Sequence, residues 1–209
     1  TGFKKYLKEH GYKFKNKFNS VGGYSILKNK KDTIIVDFGP TPDRKYSADY
    51  QSGALSLEIV HNKEKVITNC GYFQNYNHKL NILSKSTAAH STLSIDDRSS
   101  CKFKKSQLGC FTLESAVKVT SKKIYQDDEI WEIQGVHDGY FKEYGILHKR
   151  IIKFFPKEFK YVGEDIIISK KNFRKVGYDI RFHLVPNTNA IKTQDRQSIL
   201  LQLKKSGWR

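Results

Sequence analysis

The sequence predicts an all-β chain folded as a two-layer antiparallel β-sandwich. Apolar residues recur with a period of two rather than 3.6, roughly ten such runs follow one another, and polar turn sequences separate them. "GYSILKNKKDTIIVDFGP" reads as strand, Asn-Lys-Lys-Asp turn and strand, closed by Gly39-Pro40. "GALSLEIVHNKEKVITNCG" repeats the plan: Leu55, Leu57 and Ile59 alternate with Ser56 and Glu58, and a polar turn precedes Val66 to Asn69. Further alternating runs follow at "HSTLSI", "GCFTLESAVKV", "EIWEIQGVH", "ILHKRIIKFF", "KYVGEDIIIS", "YDIRFHLV" and "SILLQL". Helical patterning is confined to "GFKKYLKE", residues 2 to 9, which reads as a short basic helix or a lead-in segment. With no linker, repeat or low-complexity tract, the chain divides into a lead-in over residues 1–20 and one β-sandwich domain over 21–209.

Composition narrows the class. The 209 residues suffice for a real core, and 13% aromatics with four prolines exclude a disordered chain. No apolar run approaches the roughly 18 residues of a membrane helix, and the basic first 20 residues lack the apolar stretch of a signal peptide. Methionine is absent, even at position 1, so the chain is read as a piece of a longer protein or a processed product. The compartment, bacterial periplasm or cytoplasm, stays open.

The formal net charge is +17, and lysine dominates the 38 basic residues. Such a surface concentrates polyanions, although a chain rich in Lys, Asn and Ile also arises from codon bias, with lysines merely solvated. Base-reading proteins favour Arg, and aromatic–basic stacking clusters are not evident, so nucleic acid ranks last among the partners. The three cysteines, Cys70, Cys101 and Cys110, form neither a disulfide framework nor a zinc spacing. Free buried thiols are expected, with a Cys101–Cys110 pair across a hairpin as the alternative.

Three local features carry chemistry: His90 in "STAAHSTLSIDD", the "HDGY" run at 137–140, and "GILHKR" at 145–150. Singly each is ordinary. A lone histidine in a β domain is usually structural, and Asp138-Gly139 after a strand reads as a hairpin turn. No catalytic triad, P-loop or dinucleotide fingerprint stands in a supporting context.

Taken in order, "VDFGP", "GALSLEIV", "VITNCGYF", "STAAHSTLSIDD", "HDGY" and "LHKR" resemble the C-terminal β-sandwich domain of heparinase II/III-like polysaccharide lyases. The resemblance runs from about residue 20 to the end and is most specific over Lys85 to Leu93. It implies that an α/α toroid precedes the sandwich in the same chain, with the active cleft between them. It implies β-elimination on uronate-containing chains: a base removes the proton beside the sugar carboxylate, and other groups hold the developing charge. In that family the sandwich supplies a His-x-His-x-Asp stretch before a Leu-Ser-Phe strand. One of those histidines serves catalysis and the other a metal, and an Asp of the next strand and the His of the Ala-Ala-His run complete the metal site.

Here the pattern departs. Aligning "LSLE" with that strand puts Asp49 and Gln51 at the two histidines and Gly53 at the Asp, while Asn69 replaces the second Asp and His90 alone survives. Gln51, Asn69 and His90 therefore make a degenerate zinc site, since two uncharged amides are poor ligands. The expectation is no stoichiometric zinc and no other cofactor, with the three side chains hydrogen-bonded to one another. Asp49 reads more readily as turn material in "SADYQSG" than as a catalytic group. The resemblance implies substrate contacts from Tyr50, Gln51, Asn69, Lys85, His90 and Arg98, and makes His90, His137 and Tyr140 the catalytic candidates. The favoured reading is one wall of a cleft for an acidic polysaccharide, the full-length protein being a lyase and this domain alone inactive. The alternative is a non-catalytic glycan- or cell-envelope-binding module.

Overall fold

The computed structural model describes residues 20–169 and 175–209, together with Lys5, Tyr6 and Glu9. Residues 2–9, read as a short basic helix or a lead-in segment, thus lie largely outside the described residues.

The first sheet is a meander of β1 (Ser20–Val21), β2 (Tyr24–Lys28), β3 (Asp32–Asp37), β4 (Leu57–His61) and β5 (Glu64–Ile67), antiparallel throughout. Its turns follow from their residues. The Asn29 side-chain oxygen accepts from the N–H of Lys31 at 2.8 Å and of Asp32 at 2.6 Å, an Asx turn. Asn62 and Lys63 both take positive φ, 47° and 66°, as a tight hairpin matched to strand twist requires.

After β5 the chain makes helix α1 (Lys79–Lys85), a 3₁₀ turn at Thr87–Ala89, the short β6 (Leu93–Ile95) and a hairpin of β7 (Phe103–Lys105) and β8 (Phe111–Leu113). The second sheet follows: β9 (Val119–Gln126), β10 (Trp131–His137), β11 (Ile146–Phe155) and β12 (Lys160–Ser169), in the order β12-β11-β10-β9. β13 (Tyr178–Ile180) pairs with β6, and β14 (Asn189–Lys192), β15 (Ile199–Gln202) and β16 (Gly207–Trp208) close the chain as a three-stranded sheet.

The two large sheets pack face to face. Leu27, Ile34, Val36, Leu57, Ile59 and Val66 of the first meet Trp131, Ile133, Ile152 and Phe154 of the second in one core. Each such side chain contributes about 1.5–3 kcal/mol by leaving water, and the alternation along β10 and β11 dictates which ones do. Gly135 lets the layers close. A Cβ there would lie 2.7 Å from Phe38 Cε1 and 2.8 Å from Leu55 Cδ2. The all-β antiparallel sandwich read from the sequence is the fold observed.

Three local expectations change. β9 ("VTSKKIYQ") is an edge strand exposed over most of its length, so it lacks the alternation that marks the others. The Asp138-Gly139 turn is instead the start of an eight-residue connection containing helix α2 (Phe141–Tyr144), ended by Gly145 at φ 68°. Helix α1 docks through polar groups: the Asn81 amide N–H donates to Phe73 O at 2.7 Å and Tyr72 Oη at 3.0 Å. A helix held by its polar face carries no hydrophobic period to read.

Candidate functional site

His90 is delivered by the 3₁₀ turn, which Thr87 pins. The Thr87 hydroxyl donates to Ser52 O at 3.0 Å and accepts from the Ser100 N–H at 2.9 Å, both buried. The imidazole is 4% exposed and lines a cleft of about 540 Å³ with Tyr24, Asp37, Tyr50, Gln51, Glu58 and Asn69 among its walls.

His90 Nδ1 lies 2.8 Å from Ser86 O, a pure acceptor, so Nδ1 carries the proton. Burial lowers the ring's pKa below the usual imidazole value, against the Ser86 bond, so the neutral ring prevails at pH 7. Its Nε2 faces the Gln51 side-chain oxygen at 3.2 Å; the neutral ring has only a lone pair there, so the contact becomes a hydrogen bond when the Gln51 amide turns its NH2 to the ring. Asn69 takes no part in this bond. Its Oδ1 accepts from the Ser91 N–H at 2.8 Å and its Nδ2 donates to Glu58 Oε1 at 3.3 Å. The expected three-way bonding of Gln51, Asn69 and His90 is thus corrected to a Gln51–His90 pair beside an Asn69–Glu58 pair.

This set does not suit zinc. The Asn69 oxygen is spent on backbone, Gln51 is neutral, and among the described residues no group of three or more His, Cys, Asp or Glu is placed to hold a metal.

The charged residues of the remaining lining are Asp37, Asp49 and Glu58. Asp37 Oδ1 accepts from the Gly39 N–H at 2.8 Å, and a Cβ on Gly53 would meet both Asp37 Oδ2 at 3.2 Å and His90 Cδ2 at 3.1 Å. Burial raises the Asp37 carboxyl to about 6, opposed by the Gly39 bond and by Lys122. Asp49, read as turn material, accepts from the hydroxyls of Tyr72 at 3.0 Å and Tyr76 at 2.7 Å. Among the described residues, no lysine or arginine lines the cleft. Asp37, Glu58 and Tyr24 were missed because polar residues at alternate positions of β2, β3 and β4 look like ordinary solvent-facing residues; "VDFGP" and "LSLE" were the signals for Asp37 and Glu58.

The other expected site residues lie elsewhere. Lys85 is wholly buried, its ammonium bonded to the carbonyls of Ala48 and Tyr50 and set against the rings of Tyr72 and Phe103. Desolvation lowers its pKa, opposed by Asp49. It braces the Ala48–Tyr50 wall from behind. Arg98 and Tyr140 line a second cleft of about 550 Å³, and the Tyr140 hydroxyl donates inward to Leu93 O at 3.1 Å.

His137 begins a buried polar chain instead. Its Nδ1 accepts from the Gly139 N–H at 3.1 Å, so Nε2–H donates to His148 Nδ1 at 3.0 Å, and His148 Nε2–H donates to Asp165 Oδ1 at 2.6 Å. Arg150 grips the same carboxylate through Nε at 2.7 Å and Nη2 at 2.9 Å. Its Nη1 donates to Leu55 O at 3.0 Å and Ser91 O at 2.7 Å. Burial lowers both imidazoles, leaving a neutral His–His relay ending on an ion pair. This cluster fastens the second sheet to the backbone beside His90.

The family described as "Heparinase II/III-like, C-terminal" matches residues 15–209. A curated relative, FtsZ-localized protein C of Caulobacter vibrioides, is 26% identical over 194 residues, covering 86% of this chain and 33% of that protein. The chain thus spans about a third of the curated relative it matches. Among solved structures, heparan sulfate lyase HepC from Pedobacter heparinus superposes with a TM-score of 0.66 at 16% identity, over 96% of this chain and 30% of that one. A heparinase III follows with a TM-score of 0.62 at 14% identity, over 87% of this chain and 25% of that one. At these identities the likeness is one of fold.

Proposed function

Because the chain belongs to the heparinase II/III-like, C-terminal family, we propose that it forms one wall of a cleft for a uronate-containing polysaccharide, cleaved by β-elimination in the full-length protein. The observation that carries this reading is the cleft around His90, which gathers Tyr50, Gln51, Asn69 and His90 on one open surface. This wall offers hydrogen bonds and an aromatic face to sugar hydroxyls, with no zinc in the scheme. It does not offer the rest of the chemistry. A proton beside a carboxylate is removed only when a positioned base and a charge stabiliser act together, and among the described residues no lysine or arginine lines the cleft. The base and the positive charge are therefore assigned to the remaining polypeptide, the role an α/α toroid would fill. The +17 surface supplies long-range attraction to the polyanion, which fades as salt shortens the Debye length to about 10 Å at 0.1 M.

A second reading, a glycan- or cell-envelope-binding module without lyase activity, draws support from the same lining. Asp49 and Gln51 stand where the lyase pattern has histidines, and Asp37, Asp49 and Glu58 repel a uronate. The deciding experiment follows absorbance of the unsaturated uronate with heparan sulfate, alginate or chondroitin. The full-length protein should generate the band, its His90→Ala variant should be impaired, and the 209-residue chain should stay flat while binding weakly and salt-sensitively. A flat trace from the full-length protein, with salt-insensitive calorimetric binding, would establish the module instead.

A further inference from the structure

Cys70 follows β5 and is exposed. Its Sγ lies 3.4 Å from Nδ1 of His183. His183 Nε2 lies 2.9 Å from Ala88 O, which only accepts, so Nε2 holds the ring proton and Nδ1 turns its lone pair to the thiol. The histidine is fixed from its backbone as well: its carbonyl accepts from the Thr68 N–H at 3.0 Å, and its N–H donates to Ser91 Oγ at 2.8 Å. A nucleophile, a base within reach and a third group orienting the base is the arrangement that activates a thiol. Desolvation raises the Cys70 pKa, so at neutral pH the sulfur keeps its proton and needs a base to take it.

The other two thiols lack this setting. Cys101 is buried, and the Cys110 sulfur is paired with the Ser106 hydroxyl at 3.1 Å.

Cys70 opens onto an apolar groove of about 330 Å³ whose walls include Phe73, Leu80, Leu83 and Ala89. Helix α1 builds that groove by inverting the usual pattern: it buries Asn81 and Lys85 and leaves Leu80 and Leu83 41% and 54% exposed. An activated thiol at the edge of an exposed apolar groove selects a ligand with an electrophilic carbon and an apolar tail.

We propose that Cys70 is an acyl-accepting nucleophile that takes a medium or long acyl group from an acyl thioester, the chain lying against Phe73, Leu80 and Leu83. The Cys70 sulfur attacks the thioester carbonyl carbon as its proton passes to His183 Nδ1. The new S–C bond forms, the donor's C–S bond breaks, and the departing thiolate receives the proton from His183. One thioester replaces another, with no oxidant or reductant. The step is independent of the lyase reading.

The test incubates the 209-residue chain with octanoyl- or palmitoyl-coenzyme A and, separately, acetyl-coenzyme A, and follows adducts by intact and peptide mass spectrometry. One hydroxylamine-labile acyl group should appear on Cys70, about tenfold faster than on Cys110, and Cys70→Ser should lack it. His183→Gln should slow labelling about tenfold. Leu83→Lys, a change at an exposed position that leaves the fold intact, should slow long-chain but not acetyl transfer. Equal labelling of Cys70 and Cys110, or equal long-chain rates in wild type and Leu83→Lys, would overturn the proposal.

Discussion

Asp165→Asn should remove a large part of this protein's stability, and pH should show why. The Asp165 side chain is 6% exposed and that of Arg150 2%; the carboxylate accepts from His148 Nε2 at 2.6 Å, Arg150 Nε at 2.7 Å and Arg150 Nη2 at 2.9 Å. An amide of the same shape has no charge and can accept on one side only. The guanidinium is then left buried and uncompensated, a change worth about 3–5 kcal/mol, against the roughly 5–15 kcal/mol that holds a typical domain together.

Burial by itself pushes the Asp165 carboxyl up, but the bonds from His148 and Arg150 outweigh it and hold it at about 2 instead of 3.8. The folded value is depressed, so the contribution is complete above about pH 4 and is lost as pH falls toward 2, and the shift corresponds to about 2 kcal/mol. The neutral His137 and His148 act in an earlier window. Their folded values are also depressed, so their contribution is full above 6.5 and declines below it. Urea melts followed by tryptophan fluorescence from pH 7 to pH 2.5 give the answer. Asp165→Asn should be weaker by about 3–5 kcal/mol at pH 7 and should lack the steep loss below pH 4. A loss under about 1 kcal/mol, the scale of a surface pair, or parallel curves below pH 4 would refute the argument.

Two further perturbations probe the cleft and the core. Asp37 is raised to about 6 from 3.8, so its ionisation costs about 3 kcal/mol above pH 6, relieved as pH falls toward 3.8; Asp37→Asn keeps the Gly39 bond and should therefore stabilise at pH 7.5 and not at pH 4, and an equal gain at both in urea melts would contradict this. Gly135→Ala should lower stability by about 1–3 kcal/mol through overpacking because its Cβ would enter the Phe38 and Leu55 side chains, whereas Gly163→Ala, whose nearest atom is Ile152 Cδ1 at 3.4 Å, should differ little from wild type in a thermal melt.

The sandwich was legible because alternation is a local code. Once Ile34 and Val36, or Trp131 and Ile133, share a strand face, the hydrophobic effect can put them only inside. The family resemblance carried by "STAAHSTLSIDD" placed His90 in a cleft, and His90 lines one; that Asp49 and Gln51 fall at that family's histidine positions is an expectation from aligning "LSLE" with its strand. Strands without alternation escaped: β9 is an exposed edge, and α1 is held by Asn81 and Lys85, which carry no apolar signal. Only the tertiary structure decided which polar groups meet. Asp49 finds Tyr72 and Tyr76, His137 reaches Asp165 through His148 across three strands, and Cys70 meets His183 from 113 residues away. Burial follows from one strand's own period, but a hydrogen bond depends on the register of two strands and the packing of two sheets to within a fraction of an ångström, and no single stretch of sequence contains that relation.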